Sequence, residues 1–245
     1  MSGNVAPMPV IVGAPRSGTT LLRLMLDAHP EMAVGPETAF LPPVAALAQR
    51  GLDSDALRAA FRQVVTAWPE HSPTWVDFGL DAQALREQLL AIEPFDVGDG
   101  LRAFYRLYAA RFGKARWGDK TPSYSGHLVA IHAMLPEARF IHLIRDGRGV
   151  AESWRRMWFA PGKDMDTLAA AWQGCIREAR RQSTLVPHYL ELRYESLVRD
   201  PRGALEEVCA SSISASANAC STITMAPPTG CASIRAGLRW TAPSC

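Results

Sequence analysis

Residues 9–14 (PVIVGA) form a short apolar, β-branched run that meets a turn of small and hydroxyl residues, PRSGTT at 15–20, and then a strongly apolar stretch at 21–28. That order reads as strand, loop and buried helix. His29-Pro30 ends the helix, because the residue before a proline is pushed out of the helical region. A second short strand is predicted at 32–35, leading into Pro36-Glu37-Thr38.

The rest of the chain keeps the alternation. Residues 40–112 read as several helices separated by proline and glycine breaks, a helical insertion. A short segment at 115–122 (ARWGDKTP) precedes a helix predicted at about 126–135, and 139–144 (RFIHLI) is the clearest internal strand. Helices are predicted at 148–158, with Val150, Trp154, Met157 and Trp158 on one face, and at 165–181, with Leu168, Trp172 and Ile176 spaced by four. Residues 189–194 alternate like a strand, and a helix follows at 202–209. The fold class expected is α/β: a P-loop-type three-layer fold with a mainly parallel central sheet and a helical insertion, binding ligands at the carboxyl ends of its strands.

Composition narrows the function classes. Hydrophobic residues at 48% with 20% charged exclude a chain disordered throughout. A net charge of +2 is too small to advertise a nucleic-acid surface. No Cys/His cluster has metal-ligand spacing, and no apolar run is long enough for a membrane span, so no metal, no nucleic acid and a cytoplasmic location are expected. Residues 211–245 differ from the rest: they hold no Asp, Glu, Lys or His and are crowded with Ser, Ala, Thr and Cys. The expected domain therefore spans 1–210, followed by an atypical low-complexity tail that is either disordered or read in a shifted frame.

Gly13 to Thr20 (GAPRSGTT) has the spacing of GxxxxGK[ST], with Thr19 where the lysine belongs. Backbone N–H groups at such a turn converge on an anion at the helix N-terminus. The missing lysine argues against ATP hydrolysis, while Arg16 offers a permanent cation instead. The longer stretch PRSGTTLLRLMLDAHPEMAVGPET resembles the 5′-phosphosulfate-binding region of sulfotransferases that use 3′-phosphoadenosine 5′-phosphosulfate (PAPS), among them the bacterial and the tyrosylprotein enzymes. Arg145-Asp146-Gly147-Arg148 after RFIHLI, with Ser153 beyond it, is similar to the family's 3′-phosphate element. GDKTP at 118–122 and LRYESLVRDP at 192–201 fall in the family's order.

The resemblance implies sulfuryl transfer from PAPS to a hydroxyl or amine acceptor, carried by a small molecule or a peptide, with PAP released and no metal required. It implies donor binding by Pro15, Arg16, Ser17, Gly18, Thr19, Thr20, Arg145 and Ser153, with Tyr194 a further candidate at the end of the last strand. Glu37 matches the position of the catalytic base, and Arg16 and Lys120 are the expected cations at the leaving oxygen, with Asp119 orienting Lys120 or capping the turn. From position alone Glu37 also suits a cap on a helix starting near Thr38. His29 reads as structural, and Trp117, Trp154, Trp158 and Trp172 as core. A P-loop small-molecule kinase, or a nucleotide-binding pseudoenzyme with a damaged C-terminus, are the alternatives.

Overall fold

The computed structural model describes residues 6–70 and 72–212. The chain runs β1 (Met8–Val12), α1 (Thr19–Asp27), β2 (Met32–Val34), then the insertion α2 (Leu41–Ala48), α3 (Ser54–Ala67), α4 (Trp75–Phe78), α5 (Ala82–Leu90) and α6 (Val97–Ala110). It continues through β3 (Arg116–Lys120), a 3-10 turn (Pro122–Gly126), α7 (Leu128–Met134), β4 (Ala138–Ile144), α8 (Gly147–Trp154), α9 (Met165–Ser183), β5 (Tyr189–Arg193), α10 (Tyr194–Arg199) and α11 (Pro201–Ser212). The five strands make one sheet in the order β2-β3-β1-β4-β5, and every neighbouring pair is parallel.

β1 lies at the centre because it is apolar on both faces. Met8, Val10 and Val12 face one side, where they join Phe40, Phe61, Phe104 and Leu128 of the insertion and α7. Ile11 faces the other, against Leu22 and Leu26 of α1, Leu143 of β4, and Leu197 and Leu205 of the last two helices. Burying each such side chain stabilises the fold by roughly 1.5–3 kcal/mol. Asp53, Asp81, Asp96 and Asp164 start α3, α5, α6 and α9 by accepting first-turn backbone N–H groups.

Several expectations need correction. Segment 115–122 holds a full interior strand, β3, paired on both sides. The helix expected at 126–135 is split into the 3-10 turn and α7. The helix expected to reach residue 158 stops at Trp154, so Trp158 is not carried one turn further along the buried face. Trp154 is core, whereas Trp158 is 95% exposed; Trp117 and Trp172 are half-buried at the edges of apolar clusters. The tail reading concerns residues that lie, from 213 onward, outside the described ones; α11 itself continues to a buried Ser212.

Candidate active site

Parallel pairing brings the carboxyl ends of β2, β3, β1 and β4 to one edge of the sheet, and the expected site residues sit there. The loop after β1 is shaped by two glycines. Gly13 has φ 151°, and a Cβ on it would stand 2.5 Å from the Leu143 carbonyl oxygen of β4. Gly18 has φ 92°, and a Cβ would stand 2.4 Å from the Tyr194 ring. Both positions therefore exclude a side chain. Between them Arg16 is held at φ 71°, a strained conformation of the kind that collects at binding sites.

Thr19 and Thr20 open α1, Thr19 buried and Thr20 exposed. Ser17 is fully buried, yet its Oγ has no hydrogen-bond partner among the described residues. A buried hydroxyl with no such partner, in the turn that leads into the N-terminus of α1, fits an anion accepted at this turn. Pro15 is half-buried beside it.

The far motif meets this loop directly. Arg16 Nε donates to Ser153 Oγ at 2.9 Å across 137 residues of sequence. Arg145 Nη1 donates to the Arg16 carbonyl at 3.2 Å, and its guanidinium lies 4.7 Å from the centre of the Tyr194 ring. Two further contacts hold Arg145 in place. Trp172 Nε1 donates to the Arg145 carbonyl at 3.1 Å, and the next residue's N–H, from Asp146, donates to Glu195 Oε1 at 2.8 Å. Asp146 caps α8 and pairs with Arg148, whose hydrogen bonds pull the Asp146 carboxyl down to about 2.

On the other side of β1, Lys120 at the end of β3 donates to Glu37 Oε1 at 2.5 Å. The lysine side chain is 5% exposed and the glutamate 49%, so the carboxylate is fixed from below and open from above. The 3-10 turn that follows β3 is stitched to the anion loop by the Gly13 N–H, which donates to the Pro122 carbonyl at 3.1 Å.

Glu37 is not a helix cap: α2 begins at Leu41 with Phe40 as its N-cap residue, and the Glu37 carboxylate is engaged by Lys120. Asp119 does not orient Lys120, since adjacent side chains on a strand leave opposite faces. Its Oδ2 instead accepts from Thr38 Oγ1 at 2.7 Å and Tyr105 OH at 2.8 Å. Burial drives the Asp119 carboxyl up to about 6, against the lowering effect of those hydrogen bonds and of Lys120. His29 is structural, its Nδ1 accepting the Glu31 N–H at the turn before β2.

Sequence reasoning missed Thr38, Tyr105, Tyr124 and Trp172 as supports of this site. His142, buried in β4, bonds through Nδ1 to Tyr189 OH at 2.6 Å. Burial pushes its imidazole down to about 4. Among the described residues no group of His, Cys, Asp and Glu is clustered as a metal site, and no helix is long and apolar enough to cross a membrane.

Comparison with known proteins gives the family of the chain. The sequence model of the sulfotransferase family matches residues 7–212. Protein-tyrosine sulfotransferase 2 of Gallus gallus is 28% identical over 211 residues, covering 82% of this chain and 50% of the relative. Nodulation protein NoeE of Sinorhizobium fredii is 34% identical over 165 residues, covering 66% of this chain and 35% of that protein. The chain thus spans half or less of the length of these two curated relatives. The solved sulfotransferase domain from the Synechococcus PCC 7002 olefin synthase superposes with a TM-score of 0.52 at 27% identity, covering 86% of this chain and 75% of that one. The sulfotransferase domain from the curacin biosynthetic pathway shares the fold, with a TM-score of 0.56 at 23% identity over 85% of this chain and 74% of that one. With the matched span running from just before β1 to the end of α11, through every residue that builds the edge described above, this chain belongs to the sulfotransferase family.

Proposed function

We infer that the chain transfers a sulfuryl group from PAPS to a hydroxyl, or amine, acceptor and releases PAP. The observation that carries this is the meeting of two distant motifs: Arg16 and Ser153 joined at 2.9 Å, with Arg145 on the Arg16 carbonyl, at the mouth of a lysine-free anion loop. PAPS supplies an activated sulfonate and a nucleotide with anions at both its 3′ and 5′ positions. Pro15 to Thr20 form the 5′ cradle, through loop N–H groups and the Ser17, Thr19 and Thr20 hydroxyls. Arg145 and Ser153, backed by Tyr194, form the 3′ clamp.

Glu37 takes the acceptor proton as the acceptor oxygen bonds to sulfur. Lys120 and Arg16 face the negative charge that develops on the departing bridging oxygen as its bond to sulfur breaks. Among the described residues the Arg16 guanidinium is engaged through its Nε alone, which leaves its terminal amino groups available for that purpose. The kinase alternative finds no lysine at Thr19 to support it.

Relatives named protein-tyrosine sulfotransferases make the phenol of a peptide tyrosine the first acceptor class to test. The experiment pairs calorimetry of PAP and AMP binding with transfer from ³⁵S-labelled PAPS to tyrosine peptides, small phenols and sugars. Preference for PAP together with labelled product supports the function. Equal affinity for the two nucleotides and no labelled product in any class would overturn it.

A further inference from the structure

Glu37 is a half-exposed side chain on a loop, the kind of group whose position is usually loose. Its neighbours make it the opposite. Pro36 precedes it, restricting the backbone on one side. Thr38 follows it, is fully buried, and has every polar atom engaged. Its N–H donates to Thr121 Oγ1 at 3.1 Å. Its carbonyl accepts from Thr74 Oγ1 at 2.9 Å. Its hydroxyl lies 2.7 Å from both Asp119 Oδ2 and Tyr124 OH.

The proton count fixes the direction of this chain. The Leu41 N–H donates to the Tyr124 oxygen at 3.0 Å, Tyr124 donates to Thr38 Oγ1, and Thr38 spends its one proton on Asp119. The Asp119 carboxylate, which also accepts from Tyr105, ends it. The Thr38–Asp119 bond and the Glu37–Lys120 bond join the same two stretches of chain, the turn after β2 and the end of β3. Two adjacent residues after β2 are thus tied to two adjacent residues of β3, one bond on each face of that strand, so the backbone on the C-terminal side of the candidate base is fixed along with its carboxylate. Ala39, next along, is held at φ 57°, so the turn is fixed in a conformation it would not adopt unaided.

A network made only for core cohesion would distribute its bonds, whereas this one converges on the residue after Glu37. We propose that Thr38 is a positioning residue for the transfer reaction, acting through Glu37: the clamp of Asp119, Tyr124, Thr121 and Thr74 on Thr38 sets the Glu37 carboxylate against Lys120 and toward the acceptor. The proposal rests on Glu37 being the base. Thr74, just ahead of α4, makes the acceptor-side insertion part of the clamp. Misplacing a reacting group by about 1 Å costs on the order of 100-fold in rate, which is the scale at stake.

The test is a mutant cycle on kcat, with ³⁵S-PAPS and a tyrosine-containing peptide, alongside PAP affinity. Thr38→Val, which keeps shape and removes the hydroxyl, should lower kcat about 10- to 100-fold with PAP affinity held within about threefold. Thr38→Ser should restore kcat to within about threefold of wild type, because it restores the hydroxyl. In a Glu37→Gln background, Thr38→Val should cost less than about twofold more, since the group it positions is already gone. A wild-type kcat in Thr38→Val, or losses that multiply fully in the double variant, would overturn the proposal. A wild-type kcat in Glu37→Gln alone would instead overturn the base assignment, a separate result. If Thr38→Val does not fold, Thr74→Val removes the bond to the Thr38 carbonyl, together with a longer 3.5 Å bond to the Trp68 carbonyl, at a half-exposed site. It should lower kcat about 3- to 10-fold in the wild-type background and not at all in Glu37→Gln; an unchanged wild-type-background kcat overturns the proposal.

Discussion

Replacing Asp119 by Asn isolates the energetic cost of the buried carboxylate. The Asp119 carboxyl titrates at about 6 in the fold against an ordinary 3.8, chiefly because burial disfavours its charge. At 1.36 kcal/mol per pH unit, that gap corresponds to roughly 3 kcal/mol. The sign follows from which state holds the proton. Below 3.8 both folded and unfolded chains are protonated and the group contributes no penalty. Between 3.8 and about 6 the unfolded chain ionises while the folded one does not, so stability is lost as pH rises through the folded value and the full penalty applies above it.

Asparagine removes this titration and keeps an oxygen where Oδ2 accepts from Thr38 and Tyr105. Asp119 Oδ1 has no hydrogen-bond partner among the described residues, so the new amide NH₂ is left unbonded there, a constant cost of about 1–3 kcal/mol that does not depend on pH. The stability of Asp119→Asn minus that of wild type, from urea melts at intervals between pH 4 and 8, should therefore rise by up to about 3 kcal/mol from pH 4 to 7 and then level off. A flat difference curve, or one that falls with pH, would show that the hydrogen bonds of Thr38 and Tyr105 outweigh burial and that the carboxylate is held ionised.

Three other outcomes follow from the same structure. Arg145→Ala should weaken PAP binding by about 2–4 kcal/mol while leaving AMP affinity nearly unchanged, as read by calorimetry, because only the 3′-phosphate needs the clamp. Glu37→Gln should lower turnover about 10²- to 10⁴-fold with PAP affinity within a few-fold, whereas Lys120→Ala should lose both turnover and donor affinity; identical profiles for the two variants would contradict their separate roles. His142 has its imidazole pushed down to about 4 by burial, so its contribution to stability is present above 6.5 and is lost as pH falls toward 4. His142→Gln should flatten that loss by about 3 kcal/mol in melts compared between pH 4 and 7, the opposite sense to Asp119.

What was legible in the sequence is what depends on local pattern. PVIVGA followed by PRSGTT specifies β1, the anion turn and the start of α1, because a strand apolar on both faces and a glycine-bearing turn are local necessities. RFIHLI gives β4 for the same reason. β3 was not legible as a strand: RWGDK carries three charges, and the pattern that marks an interior strand is absent because its buried end holds Asp119 and Lys120 for the site. α10 begins where β5 ends and spans six residues, too short for a helical period to show. The end of α8 at Trp154 was hidden by apolar residues at 157–159, which continue the periodicity after the backbone has left the helix. The clamp on Thr38 draws its partners from residues 36 to 86 positions away in sequence, so no local window contains it.

The strand order also separates recognition from chemistry. Arg145 and Ser153 lie past the end of β4, on one side of β1, while Glu37 lies past the end of β2 and Lys120 is the last residue of β3, on the other. Neighbouring strands stand about 4.8 Å apart, so β3 and β4, flanking β1, are roughly 10 Å apart. No hydrogen bond among the described residues joins the two groups; they communicate only through the loop between them, by way of Arg16 and the Gly13 N–H. At that spacing, effects of substitution add to within about 0.5 kcal/mol unless a rigid element transmits them. Arg145→Ala combined with Glu37→Gln should thus show the sum of the single free-energy losses in kcat/KM. A sum that fails by more than about 1 kcal/mol would mean that the strained Arg16 turn couples donor binding to the base, and would make that turn a conformational element rather than a fixed cradle.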